Sequence, residues 1–230
     1  MQNKVSACLE KFKTLYDYQF AFRKYHGTSL ALIEVTDSIY RHLDNHEKTI
    51  GVYLNFQITF DTVNHNILIH KLSINGIRGT VLNWFKNYVS SRKQFILLAD
   101  AKSDILDITC GVLQGSILGL LFFLIYVNDI QNCSSEAKLK LLADDTNLFV
   151  FGKSFFETST KCNSLLSDLN KWFIANKLCL NIEKTCYSAF SNNSPDCNDL
   201  NSIDLKINAA KIKMCGSVKY LKVWIDDRLN

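Results

Sequence analysis

The chain has 230 residues, with 26 Lys+Arg against 22 Asp+Glu for a formal charge of +4, 47% hydrophobic residues and 21% charged ones. That balance excludes wholesale disorder and fibrous repeats, and a chain of this size buries roughly 70–75% of its unfolded surface, enough for one large core or two coupled lobes. Proline is the outlier: there is one, Pro195, beside 21 asparagines, where usual composition would give about eleven or twelve prolines.

In chain order, residues 1–20 carry charges throughout and have no apolar core of a signal peptide, so no secretory route is expected. A first helix is predicted over 29–43, with Leu32, Val35, Ile39 and Leu43 on one stripe. Residues 49–56 alternate Ile50, Val52, Leu54 and Phe56, as a half-buried strand would. A second helix begins near Asn64 and stops at Gly76, and a third, aromatic-rich one covers 80–89. Residues 93–98 and 104–110 read as a hairpin around a polar turn at 100–103. An apolar helix follows Gly115; its unbroken apolar run, 117–127, is eleven residues. A membrane span needs about twenty, so a core helix and no membrane partner are expected.

Strands are predicted over 138–143 and 147–151, meeting at Asp144-Asp145. Ser154 and Glu157 form a capping box that opens a long helix with Cys162, Leu165, Leu169, Trp172 and Phe173 inward. The remainder is strand-like over 179–182, 185–190, 205–207, 211–214 and 219–225, with one candidate linker at 191–202. Strands and helices alternate without a βαβ glycine signature, which predicts an α+β fold. The eight cysteines (Cys8, Cys110, Cys133, Cys162, Cys179, Cys186, Cys197, Cys215) form no C-x-x-C pair and lack histidine partners, which argues against zinc. They are expected to be reduced thiols of an intracellular protein, nuclear or cytoplasmic.

Charge is unevenly spread. Residues 71–102 hold six basic side chains and one acid, Asp100, and 206–222 hold five lysines and no acid. Such stretches are either the footprint of a polyanion groove or a pair of solvated faces. The most informative segment is Leu142-Ala143-Asp144-Asp145-Thr146, flanked by apolar strands. Adjacent carboxylates at the tip of a buried hairpin repel unless a cation neutralises them, and their hard oxygens suit Mg²⁺. Alone, the segment reads first as an exposed Asp-rich turn.

Several segments together resemble the reverse transcriptase of non-LTR (LINE-type, jockey/CR1-like) retrotransposons. They are Tyr16-Asp-Tyr-Gln-Phe20 with Phe22-Arg23-Lys24, Phe60-Asp61-Thr62-Val63, Gly76-Ile77-Arg78-Gly79 with Trp84-Phe85, and Arg92-Lys93-Gln94. Further on come Gln114-Gly115-Ser116-Ile117-Leu118-Gly119, Ala143-Asp144-Asp145-Thr146-Asn147-Leu148-Phe149, Leu180-Asn181-Ile182-Glu183-Lys184-Thr185 and Tyr220-Leu221. The resemblance covers about residues 12–228, in the family's order. It implies a right-hand polymerase with an antiparallel palm sheet packed on helices and partial fingers. Residues 1–48 would be fingers, 49–190 palm with an inserted fingers segment at about 76–112, and 203–230 primer-grip-like strands, with thumb and endonuclease absent.

The implied chemistry is transfer of a nucleotide from a deoxynucleoside triphosphate (dNTP) to a DNA primer on an RNA template, using two Mg²⁺ ions. Asp144 and Asp145 would be metal ligands and catalytic residues. Phe60 would pack under the nucleotide sugar, Gln114 and Gly115 would shape the loop at the incoming base, and Arg23 and Lys24 would meet triphosphate or template. Lys184 would be the candidate general acid for pyrophosphate.

The pattern fails at position 55, where the third catalytic carboxylate is expected and Asn55 stands. Leu142 replaces an aromatic, Leu113 and Leu120 replace prolines, and Tyr25 and Lys222 replace glycines. A weak or inactive polymerase is therefore expected, with a non-catalytic nucleic-acid-binding transposon remnant as the alternative. Pro→Leu and Asp→Asn each arise by one transition, so scarce proline and Asn55 have a common candidate origin in unrepaired mutation.

Overall fold

The structure is a computed structural model and describes residues 2–57, 60–133, 138–143, 145–192, 200, 202–227 and 229. Its elements begin with α1 (Gln2–Lys11), α2 (Thr28–Asp44), β1 (Lys48–Leu54), α3 (His65–Ile74) and α4 (Gly79–Ser90). Four short strands follow, β2 (Lys93–Gln94), β3 (Leu97–Leu98), β4 (Ala101–Lys102) and β5 (Leu106–Asp107), then α5 (Ile117–Val127) and a 3₁₀ turn at Asn128–Cys133. Next come β6 (Lys138–Leu142), β7 (Asp145–Gly152), α6 (Phe155–Ala175) and β8 (Cys186–Phe190). The chain ends with β9 (Lys206–Ile207), β10 (Ala210–Lys211), β11 (Lys213–Met214), β12 (Ser217–Tyr220) and β13 (Val223–Asp226). Contacts divide it into two compact units, residues 1–15 with 58–128 and residues 16–57 with 129–230.

The first unit is helical and centres on α5. That helix is apolar all round, and Phe122, Phe123, Leu124, Ile125 and Tyr126 are all buried, which is the environment such a sequence requires. Phe85 of α4 meets Phe122 edge to face, with centroids 5.0 Å apart. On α3, Asn64 caps the first turn by accepting the Ile67 N–H at 3.1 Å, and Gly76 follows the last. Lys71 corrects the charge reading: it is buried, its Nζ donates to the Tyr126 carbonyl at 2.5 Å, and it lies over the Tyr126 ring. It contributes packing, not a cationic surface. The sequence pattern gave no sign of α1, because only Val5 and Leu9 of its described side chains turn inward.

The second unit is a five-stranded sheet in the order β11-β8-β1-β7-β6, antiparallel except for β11 on β8. β1 is central and buried on both faces. One face, with Tyr53, Phe149 and Phe190, packs against Val35, Ile39 and Leu43 of α2 and against Tyr220 and Ile225. Gly51 leaves that face open: a Cβ there would lie 2.8 Å from the Phe149 ring. By strand alternation Ile50, Val52 and Leu54 face the other way, toward α6, whose Cys162, Leu165, Leu166, Leu169 and Phe173 are buried. Half of the capping box forms: Ser154 Oγ accepts the Glu157 N–H at 3.2 Å, but Glu157 reaches past the N-cap and accepts the Lys153 N–H at 3.0 Å.

Two sequence readings are corrected. Residues 179–182 form no strand; they make one bridge, Phe56 to Leu180, and then turn. Residues 219–225 are not one strand but most of a hairpin, β12 paired with β13, because Leu221 and Lys222 both take positive φ, +51° and +71°. The candidate linker lies mostly outside the described residues, as do Pro195 and Cys197.

Both positions at which the resemblance expects glycine are left-handed here: Tyr25 has φ +63° and Lys222 has φ +71°. An L side chain in that region costs about 1–2 kcal/mol. Tyr25→Gly and Lys222→Gly should therefore each stabilise the chain by about 1 kcal/mol, read as an upward shift in the urea midpoint at constant m-value.

Candidate active site

The site is built on the end of β1. In the β1–β7 ladder Leu54 pairs with Thr146 and Tyr53 with Asn147, so the residue after Leu54 is set against the residue before Thr146. These are Asn55 and Asp145. Alternation puts both on the face that carries Tyr53 and Asn147. Ala143 turns the β6–β7 hairpin with φ +56°, and Asp145 is exposed as the first residue of β7. Asp144, the expected principal metal ligand, lies outside the described residues.

Asn55 is half-buried and held by its backbone. Its N–H donates to Thr185 Oγ1 at 3.3 Å, and its carbonyl accepts the Asn181 N–H at 2.7 Å. The buried Thr185 hydroxyl closes the clamp by donating to the Asn181 carbonyl at 2.9 Å. The turn so fixed carries Lys184, whose own N–H donates to Asn181 Oδ1 at 3.2 Å while its side chain is exposed. One unit thus brings together Asn55, Asp145 and the turn bearing Lys184.

Sequence reasoning assigned no role to Tyr220, yet it belongs to this surrounding. Burial pushes its phenol upward and the Asp145 charge adds to the rise, while the Asn147 side chain opposes it. Its ring lies 6.2 Å from that of Tyr53, whose phenol burial also raises. The signal was present in the Tyr220-Leu221 segment, but a strand reading of 219–225 does not show that a tight hairpin turns Tyr220 inward. Next to Tyr53, the Cys186 thiol is pushed up to about 12, by burial first and then by the Cys215 thiol that hydrogen-bonds it.

Arg23 and Lys24 lie in the same unit and behave differently. Arg23 donates to the Tyr16 carbonyl at 2.7 Å and to the Gln19 carbonyl at 3.5 Å, bracing the loop that precedes it. Lys24 is exposed, with its ammonium 4.8 Å from the Tyr25 ring centroid. The second basic stretch is partly neutralised as well, since Lys206 and Lys211 both pair with Asp204, at 2.5 and 3.3 Å.

The other expected residues belong to the helical unit. Phe60 is half-buried with its ring 5.0 Å from Phe123, and its carbonyl accepts the Val112 N–H at 2.8 Å. The loop is held further by Gly111, whose N–H donates to the Val63 carbonyl at 2.8 Å. Gln114 and Gly115 are exposed in the turn before α5, where Gly115 takes φ +80°. Ser116 closes that turn: its hydroxyl donates to the Leu113 carbonyl at 2.7 Å and accepts the Gly119 N–H at 3.0 Å.

The donors at the end of β1 are hard oxygens, which fit a magnesium-like cation in kind. They fall short in charge, because the Asn55 amide is neutral. Among the described residues no group of three or more His, Cys, Asp or Glu side chains is placed to hold a metal. Also among them, no helix is long and apolar enough to cross a membrane.

An α+β sheet with an acidic hairpin beside its central strand is the arrangement of a polymerase palm. The chain belongs to the reverse transcriptase (RNA-dependent DNA polymerase) family, whose profile matches residues 1–195. It is 25% identical over 234 residues to the RNA-directed DNA polymerase from mobile element jockey of Drosophila melanogaster, covering 99% of this chain and 25% of that protein. The jockey protein of Drosophila funebris is 24% identical over the same length and coverage. The chain therefore spans about a quarter of the length of these relatives. Among solved structures, telomerase from Candida albicans superposes with a TM-score of 0.66 at 12% identity, covering 96% of this chain and 35% of that one. Apo telomerase from Candida tropicalis gives 0.65 at 11% identity, covering 100% and 40%. At such identities these likenesses speak for the fold.

Two outcomes follow from the clamp and the thiols. Thr185→Val leaves the Asn55 N–H without the hydroxyl it donates to, while the Asn181 carbonyl keeps the Thr185 and Lys184 N–H groups, and should cost about 1–3 kcal/mol in chemical denaturation. At pH 8 a thiol with a pKa raised to about 12 is thiolate in only about one molecule in 10⁴. Iodoacetamide mapping should accordingly label exposed Cys8, Cys110 and Cys179 first, and Cys162 and Cys186 only after unfolding.

Proposed function

We propose that this chain is a reverse transcriptase domain whose nucleotidyl-transfer site has lost one of its three carboxylates and retains little polymerase activity. The observation that carries this reading is the β1–β7 register, which sets Asn55 against Asp145. In a two-metal site the cations sharpen the attacking primer hydroxyl and neutralise the triphosphate and leaving oxygen. Asp145 and its neighbour Asp144 would hold Mg²⁺ here, and the Asn55 amide offers an oxygen without charge.

The remaining roles concern binding. RNA template and DNA primer supply the polyanion, and dNTP supplies the nucleotide. In the helical unit Phe60 would present an edge to the nucleotide sugar, and the Gln114-Gly115 turn would face the incoming base. In the sheet unit Lys24, exposed beside the Tyr25 ring, would meet a triphosphate or template phosphate, whereas the Arg23 guanidinium is engaged in bracing its own loop. Lys184, exposed on the turn that Asn55 helps to fix, would be the acid that protonates pyrophosphate. In this reading residues 1–48 and about 76–112 correspond to fingers, 49–190 to palm and 203–230 to primer-grip-like strands.

The size of the defect can be bounded. Removing one oxyanion-hole donor costs about 3–4 kcal/mol, and a bridging metal ligand should matter no less, so the expected loss is at least about 10²-fold in rate. A specific observation supports non-catalytic nucleic-acid binding as the residual activity: Asn55 removes negative charge from the site, while the exposed Lys24 and Lys184 remain. Primer extension on an RNA template with Mg²⁺ or Mn²⁺ tests the proposal. The parent chain should extend at or near background and Asn55→Asp should extend measurably faster. Robust extension by the parent chain would refute it.

A further inference from the structure

The edge strand β11 brings two cysteines together. It lies parallel to β8 with Lys213 opposite Cys186 and Met214 opposite Tyr187. The ladder continues one residue further, where the Cys215 N–H donates to the Tyr187 carbonyl at 2.8 Å. Ser188 fastens the same point, its hydroxyl donating to the Cys215 carbonyl at 2.9 Å. Residues level in a ladder share a face, so Cys215, two beyond Lys213, lies on the face of Cys186. The two thiols are hydrogen-bonded. Both cysteines are half-buried and reduced.

Cys215 is also the junction at which the chain leaves the sheet. Beyond it β12 and β13 pair with each other and not with the five strands. The hairpin bears on the sheet through side chains, with Tyr220 and Ile225 packed in the cluster of Tyr53, Phe149 and Phe190. Cys186 stands opposite Tyr53 in the β1–β8 ladder and packs against the same cluster. A bond between the two sulfurs would tie the root of the hairpin to the strand beside β1. Gly216, next in the chain, has open space around it, so the end of β11 can follow the sulfurs as they close to about 2.0 Å.

We propose that Cys186 and Cys215 are a reversible redox pair, closed to a disulfide by a low-molecular-weight disulfide such as oxidised glutathione and reopened by thiols. Burial holds the Cys186 thiol protonated, so the first attack falls to Cys215. Its thiolate attacks one sulfur of the oxidant, forming a mixed disulfide and expelling one glutathione thiolate. Cys186 then loses its proton, attacks the Cys215 sulfur and expels the second glutathione. The pair gives up two electrons and two protons, and the oxidant's S–S bond becomes two thiols. Contact makes the second step intramolecular, which offsets the burial of Cys186. The bond closes a loop of about 29 residues, from 186 to 215, and so restricts the unfolded chain. The inference does not depend on the polymerase reading.

The test is peptide mapping, without reduction, of the full chain after incubation with about 1 mM oxidised glutathione. Peptides joined through Cys186 and Cys215 should be the main disulfide product. The joined form should unfold at a urea midpoint about 0.5–1 M higher, a shift that dithiothreitol reverses. Cys215→Ser should abolish the shift, and Cys8→Ser, an exposed thiol elsewhere, should keep it. The map is made on the parent chain, so it does not depend on how a variant folds. Cys186 and Cys215 both left free or both carrying glutathione, either one joined to another cysteine, a joined form with an unshifted midpoint, or a shift that survives Cys215→Ser would each overturn the proposal.

Discussion

The antiparallel register of β1 is the constraint on which the rest of the second unit depends. β1 is hydrogen-bonded on both sides, to β7 and β8, and buried on both faces, between α2 and α6. A slip by one residue would turn Tyr53 and Gly51 toward α6 and drive Ile50, Val52 and Leu54 out of its core. Gly51 pins the alignment further, because a Cβ there would crowd the Phe149 and Phe190 rings. The placement of Asn55 beside Asp145 is thus a consequence of core packing, fixed before any ligand arrives.

On the proposed reading, that placement accounts for a fold that tolerates an amide at position 55. A carboxylate at 55, beside that of Asp145, would concentrate like charge at one end of the sheet and destabilise the metal-free chain. Asn55 keeps the shape, and its backbone bonds to Thr185 and Asn181 do not require a charge. An amide there therefore favours the fold, and on the proposed reading it does so at the expense of the chemistry, the usual direction of exchange between stability and an active site.

Much of this was legible in the sequence where local chemistry decides. The α2 stripe, the Asn64 and Ser154 caps, the apolar α5 and the β6–β7 hairpin all follow from periodicity or capping residues. The resemblance to the reverse transcriptase family marked position 55 as a proposed carboxylate position, which needs only chain order. What was not legible depends on partners distant in sequence. Lys71 reads as a surface cation until the Tyr126 carbonyl is found to hold it. Residues 179–182 read as a strand, but they meet only the end of β1 and turn away. Tyr220 shows its relation to Asp145 only once the turn at Leu221 and Lys222 is known.

The deficit proposed at position 55 is electrostatic, one negative charge fewer than a two-metal site would carry. Calorimetric titration of Mn²⁺ into the parent chain and into Asn55→Asp measures this without requiring turnover. Restoring the carboxylate should tighten metal binding by about tenfold or more, equivalent to at least about 1.4 kcal/mol. Equal affinity in the two proteins would contradict the account.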